Sequence, residues 1–110
     1  MGLDVTLDAD PTPDAVTFTV TVANTGDTPR TLTFPTGQIA DITATADGDP
    51  VWRWSDGRMF TQAIREETID PGDTISMSGT WEAPPAGTYA VVATVEAANT
   101  DLATETTVTV

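Results

Sequence analysis

A chain of 110 residues is one domain in size, able to bury roughly 65% of its unfolded surface without covalent staples. It contains no Cys and no His, which excludes disulfides, thiolate chemistry and the Ser/His/Asp or Cys/His nucleophilic centres, so no enzymatic activity is expected. Four Arg and no Lys stand against 17 Asp and Glu for a net charge of -13, so no basic face is available for nucleic acid or anionic membrane.

In chain order the dominant period is two. Leu3, Val5 and Leu7 begin it, and Asp10-Pro11-Thr12-Pro13-Asp14 interrupts it. In AVTFTVTV, Val16, Phe18, Val20 and Val22 share one face while three Thr share the other, which is a half-buried strand of β-branched and aromatic residues. Asn24-Thr25-Gly26-Asp27 suits a hairpin, and Leu32 with Phe34 resumes the alternation. Ile42, Ala44 and Ala46 follow, then Asp47-Gly48-Asp49 as a second hairpin signal. Trp52 and Trp54 fall on one face of the next run, with Val51 and Arg53 on the other. Arg53 is expected to point outward toward an acidic neighbour. After Ser55-Asp56-Gly57 the alternation stops, and Arg58-Met59-Phe60-Thr61-Gln62 reads as a connection. Phe60 is expected to turn inward, with Arg58 and Met59 accessible. Asp70-Pro71-Gly72-Asp73 is a type II turn, with Pro setting φ at the second position and Gly accepting positive φ at the third. Ile75, Met77, Gly79 and Trp81 share a face, and Pro84-Pro85-Ala86-Gly87 breaks the run. Tyr89, Val91, Ala93 and Val95 form the longest inward row, and Leu102, Val108 and Val110 close the set.

No stretch has helical periodicity and no linker divides the chain. The expected fold is all-β, an antiparallel immunoglobulin-like β-sandwich of seven to nine strands forming a single domain over residues 1–110. Trp52, Trp54, Trp81 and Tyr89 are its expected aromatic anchors. The C-terminal TETTVTV has high β-propensity and one charge, so that edge needs a cover or a partner; the chain is expected to be a monomer or a weak edge-strand dimer.

The acidity has two readings, disorder or adaptation to molar salt. With 39% hydrophobic residues in regular alternation, disorder is disfavoured. In molar salt the Debye length shrinks to ~3 Å, so a carboxylate-rich surface stays soluble without repelling itself. Asp47–Asp49 and Asp70–Asp73 bring oxygens together, but turn chemistry explains both, and neither a metal nor a cofactor is expected. The acidic start MGLDVTLDADPTP resembles no signal peptide and holds no apolar run near the ~20 residues of a membrane span, so a cytoplasmic location is expected.

Four elements in order resemble the intracellular proteinase inhibitor family (the BsuPI domain). Phe34-Pro35-Thr36-Gly37-Gln38 followed by Asp41 is similar to F-x-[ST]-G-Q-x-x-D. Trp54-Ser55 leading to Phe60-Thr61-Gln62 is similar to W-S-x(4)-F-x-Q. Ile69-Asp70-Pro71-Gly72-Asp73 resembles an L-x-P-G-E turn before a strand ending in Trp81, and Gly87-Thr88-Tyr89 resembles G-x-Y. The likeness spans roughly residues 15–98 and implies an immunoglobulin-like fold that inhibits serine proteases inside the cell. Two segments are candidates for the protease contact, Arg58 to Gln62 and Phe34 to Gln38, where Pro35 stiffens the approach and Gly37 permits a bend. The partner would be a subtilisin-like serine protease. A non-inhibitory immunoglobulin-like interaction module is the competing expectation.

Overall fold

The computed structural model describes residues 2–110, and they fold as an immunoglobulin-like sandwich of nine strands with no helix among them. The strands are β1 (Leu3–Pro11), β2 (Ala15–Asn24), β3 (Arg30–Phe34), β4 (Ala40–Ala46), β5 (Asp49–Arg53), β6 (Arg65–Ile69), β7 (Thr74–Glu82), β8 (Thr88–Val95) and β9 (Leu102–Thr109). One layer holds the antiparallel sheet β1-β2-β7 and the short pair β3-β6; the other is the antiparallel sheet β5-β4-β8-β9.

The alternation in the sequence becomes the two inner faces. Val16, Phe18, Val20 and Val22 are buried from β2, Ile42 and Ala44 from β4, and Tyr89, Val91, Ala93 and Val95 from β8. Each large apolar side chain removed from water in this way stabilises the fold by roughly 1.5–3 kcal/mol. The core has two parts. Phe18, Ile42, Val91 and Trp81 belong to the larger, and Val22, Leu32, Phe34, Ile69 and Val95 form the smaller, beneath β3 and β6.

Asn24-Thr25-Gly26-Asp27 does not close a hairpin. β2 runs along β7 and β3 along β6, so the chain continues forward across a break in one long antiparallel ladder. Asn24 explains why. Its side chain is buried, and its Nδ2 donates to the carbonyls of Thr28 and Ile69 at 2.8 Å while its Oδ1 accepts the Gly26 N–H at 2.9 Å. Those bonds carry the strand over the break, where the isolated sequence suggested a reversal.

Asp10 and Pro11 do not interrupt β1 but pair with Thr17 and Val16, and the chain reverses only at Thr12-Pro13-Asp14. The turns at Asp47-Gly48 and Pro71-Gly72 act as read. Asp47 and Gly48 both take left-handed φ (54° and 86°), the conformation of a primed two-residue hairpin, and join β4 to β5. Gly72 has φ 85° and the Asp73 N–H reaches the Asp70 carbonyl at 2.9 Å, closing the Pro-Gly turn. Tyr89 donates its hydroxyl to the Pro85 carbonyl at 2.6 Å, the tyrosine corner of such sandwiches. β9 forms an edge of its sheet, and β1 lies alongside it as its cover.

Candidate functional site: a braced loop beside an open sheet edge

Trp52 leaves β5 toward the core and stacks between Phe18 (centroids 5.7 Å, interplanar 28°) and Trp81 (5.5 Å, 13°), while Trp81 meets Tyr89 edge-on at 4.9 Å. This column fixes the end of β5. Arg53, on the opposite face, is exposed; it makes no ion pair among the described residues, although its charge acts on Glu96.

Trp54 sits two residues on and covers the backbone of β7 at Gly79. A Cβ on residue 79 would fall 2.7 Å from Trp54 Nε1, so only glycine lets the indole lie there. The outer side of Trp54 carries two residues of the following loop. Phe60 packs at 5.6 Å with a 42° tilt, and the Arg58 guanidinium lies 4.5 Å over the ring while its Nε donates to the Trp54 carbonyl at 2.7 Å. Phe60 therefore turns inward onto Trp54, half-buried, and Arg58 is exposed but folded back. Two tight turns deliver them: the Asp56 N–H bonds the Arg53 carbonyl at 3.2 Å and the Arg58 N–H the Ser55 carbonyl at 3.1 Å, with Gly57 at φ 76°.

The segment Phe34 to Gln38 lies directly beside this loop. Phe34 is buried, so it serves the core. The Gly37 N–H donates to the Thr61 carbonyl at 3.0 Å, and a Cβ on Gly37 would stand 2.7 Å from Thr61 Oγ1. Thr36 Oγ1 accepts the Gln38 N–H at 3.1 Å, and Gln38 Nε2 donates to the Ala40 carbonyl at 3.2 Å. Pro35 begins the bend. The two candidate segments are thus one adjoining pair. Among the described residues the Gln62 side chain bonds only the Phe60 carbonyl, at 3.5 Å.

Asp41 ties the start of the loop, at Ser55, to β4. Its Oδ2 accepts the Ser55 hydroxyl at 2.7 Å, and its Oδ1 accepts the Ser55 N–H at 3.1 Å and the Ile42 N–H at 2.9 Å. The sequence placed Asp41 in a motif without a role; its spacing from Gln38 and the Ser after Trp54 were the signals. Nearby, partial burial raises the Glu96 carboxyl above its usual range, Asp41 raises it further, and Arg53 pulls it back.

Between these braces stands Met59, 98% exposed, the most exposed large apolar side chain among the described residues, with Ile64 at 74% at the loop's far end. No group of three or more side chains able to hold a metal ion gathers among the described residues. The arrangement can present a side chain on a fixed backbone.

Solved structures with this fold include the sporulation control protein Spo0M from Bacillus subtilis (TM-score 0.59, 17% identity), of which the chain covers 49% while 99% of its own length is matched. A β-glucosidase from Kluyveromyces marxianus also matches (TM-score 0.52, 16% identity), over 98% of this chain and 14% of that one. The chain thus spans about half of the first protein (49%) and a small part of the second (14%). At these identities the likeness is one of fold. No curated protein matches the sequence. The family model described as "Intracellular proteinase inhibitor" matches residues 3–100, nearly the whole sandwich and all of the braced loop, and the chain belongs to that BsuPI family.

Proposed function

We propose that the chain is a cytoplasmic inhibitor of a subtilisin-like serine protease, presenting Arg58 to Gln62 to the protease cleft as a substrate-like strand. The observation that carries this reading is Met59, 98% exposed on a segment held at both ends. Leaving a Met side chain in water forgoes roughly 1.5–3 kcal/mol of burial, which a protease specificity pocket can restore on binding. The loop is already ordered: Asp41 and Trp54 hold its start, Phe60 its middle and the Gly37–Thr61 bond its end. A loop ordered in advance avoids an association cost of ~0.5–1.5 kcal/mol for each side chain that binding would otherwise immobilise. Met59 supplies the pocket side chain, because Arg58 is engaged by Trp54. The inhibitor acts as a monomer or a weak edge-strand dimer.

The test is residual activity of a subtilisin-like protease incubated with the protein in molar KCl, repeated with Met59→Gly and Arg58→Gly. Met59→Gly should weaken inhibition about tenfold or more while melting as the parent does. Arg58→Gly should weaken it less, through loss of the contact that steadies Trp54. Inhibition unaffected by Met59→Gly would remove this loop from the contact. No inhibition of any serine protease would favour a non-inhibitory interaction module.

A further inference from the structure

The two layers of the sandwich are unequal. β1 lies against β9, so the three strands β1-β2-β7 cover the sheet β5-β4-β8-β9 from one side, and β5 is left without a full counterpart. A groove of about 680 Å³ opens there, with Trp52, Trp54 and Arg58 on one side and the outer edge of β7 on the other.

The ladder fixes which backbone groups line that edge. The Asn24 N–H bonds the Asp73 carbonyl and the Ala83 N–H bonds the Asp14 carbonyl, so the pairs between them at two-residue steps, including Phe18↔Gly79 and Val16↔Trp81, are the hydrogen-bonded ones. The N–H and C=O groups of Ser78, Thr80 and Glu82 therefore point away from β2 into the groove. β7 pairs only with β2, so those groups have no partner strand among the described residues.

The edges at β5 and at β1 with β9 are guarded. β5 carries Pro50 and a register shift opposite Ala44/Thr45, and β1 lies against β9. β7 has neither Pro nor Lys, and its single charge is Glu82 at the end. A row of free amides and carbonyls above half-buried indoles fits an extended backbone whose alternate side chains reach the aromatic face.

Charge selects the occupant. The Trp54 ring already receives a guanidinium, that of Arg58 at 4.5 Å, which marks it as a cation-accepting face, and the chain carries -13 overall. We infer that the outer edge of β7 binds an extended basic segment of a partner protein, which adds as a further strand beside Ser78 and Thr80 and lays an Arg or Lys against the tryptophans. This surface adjoins the Met59 tip and shares Arg58 with that loop, but its occupant need not be a protease.

The test uses the full 15N-labelled chain, in a salt where its fold is verified, titrated with an acetylated and amidated heptapeptide alternating Val and Arg. Saturable shifts and slowed hydrogen exchange at the Ser78 and Thr80 amides are expected, with the Val/Glu counterpart binding at least roughly tenfold more weakly. Thr80→Pro should abolish binding and keep the fold, since that N–H makes no bond in the β2–β7 ladder. Should the variant not fold, a Val/Arg peptide N-methylated along one edge blocks the same bonds without touching the protein, and it too should not bind. The inference is overturned if the Ser78 and Thr80 amides ignore the Val/Arg peptide, or if the Glu or N-methylated peptide binds as well. It is equally overturned if those amides are protected in a concentration-dependent way with no peptide present, which would mean a second copy of the chain occupies the edge. Folded Thr80→Pro should still inhibit protease, so the two proposals fail separately.

Discussion

Asp41→Ala tests whether the loop is positioned from below. The substitution removes the acceptor of three hydrogen bonds, two from Ser55 and one from Ile42. A bond to a charged acceptor contributes ~1.5–3 kcal/mol when buried; Asp41 and Ser55 are half-buried, and the Ile42 bond joins neighbours in sequence, so the total loss is set at ~2–3 kcal/mol. Against a typical domain stability of ~5–15 kcal/mol the variant should still fold, with its melting temperature lowered by roughly 10–20 °C. Denaturant titration measures the first effect, with the slope unchanged. The second is functional. Ser55 loses its tether to β4 while the Trp54 N–H keeps its bond to the Ile42 carbonyl, so the loop after Trp54 pays ordering entropy on binding, and inhibition should weaken about tenfold or more at temperatures where the variant is fully folded. Asp41→Asn is the control. Its Oδ1 can still accept both backbone N–H groups while its amide donates to the Ser55 hydroxyl, and it should recover more than half of both losses. An Asp41→Ala protein within ~0.5 kcal/mol of the parent, or an Asn variant as poor as Ala, would refute the reasoning.

Asn24→Ala leaves the Thr28 and Ile69 carbonyls and the Gly26 N–H without their partner, and should destabilise by ~2–4 kcal/mol in urea titration; a loss below ~1 kcal/mol would mean that the break in the ladder supports itself. Ala83 has φ 51°, where a Cβ is crowded, so Ala83→Gly should raise stability by about 1 kcal/mol, and an unchanged or lower value would argue against strain there. The folded state holds the Glu96 proton more tightly than the unfolded chain, so this group's contribution to stability falls as pH rises from about 4.5 through the raised folded value. Glu96→Gln should therefore melt higher than the parent at pH 7 and together with it at pH 3; coincident melting at both would contradict the shift. With a net charge of -13, self-repulsion should ease as the Debye length falls from ~10 Å at 0.1 M to ~3 Å at 1 M KCl, raising the melting temperature, and a flat response would remove salt adaptation as the reason for the composition.

Strand faces were legible because a period of two is set by each strand alone: AVTFTVTV declares which side of β2 is inward before any partner is known. The Pro71-Gly72 and Asp47-Gly48 turns were legible for the same reason, since φ > 0 is a local demand. The path after Asn24 was not. Its side chain reaches the Ile69 carbonyl, 45 residues away, and nothing local separates an Asn that closes a hairpin from one that bridges a break. The site divides along the same line. Exposure at Met59 followed from a loop without alternation, whereas the Gly37–Thr61 and Asp41–Ser55 bonds join segments whose adjacency only the folded sheets create. Gly79 read as one member of an alternating row; that it accommodates Trp54 depends on β5 and β7 meeting across the two layers.

The motif residues and the exposed tip have different tasks. Asp41, Gly37, Trp54, Ser55 and Phe60 all contact another part of the same molecule, and in W-S-x(4)-F the four unspecified positions are Asp56, Gly57, Arg58 and Met59. The pattern therefore specifies a frame and leaves the tip open. That division suits recognition by a loop whose backbone must be rigid while its side chains are free to match a pocket, because rigidity comes from bonds internal to the sandwich and specificity from groups that make none. Arg58 stands between the two tasks, at an open position of the pattern yet held against Trp54 by a cation–π contact and a hydrogen bond. Trp54 also faces the edge of β7 across the groove, so the indole is common to the loop's support and to the proposed strand-binding site. A basic segment seated there would compete with Arg58 for the same ring, and through it the occupancy of the groove would bear on the rigidity of the tip.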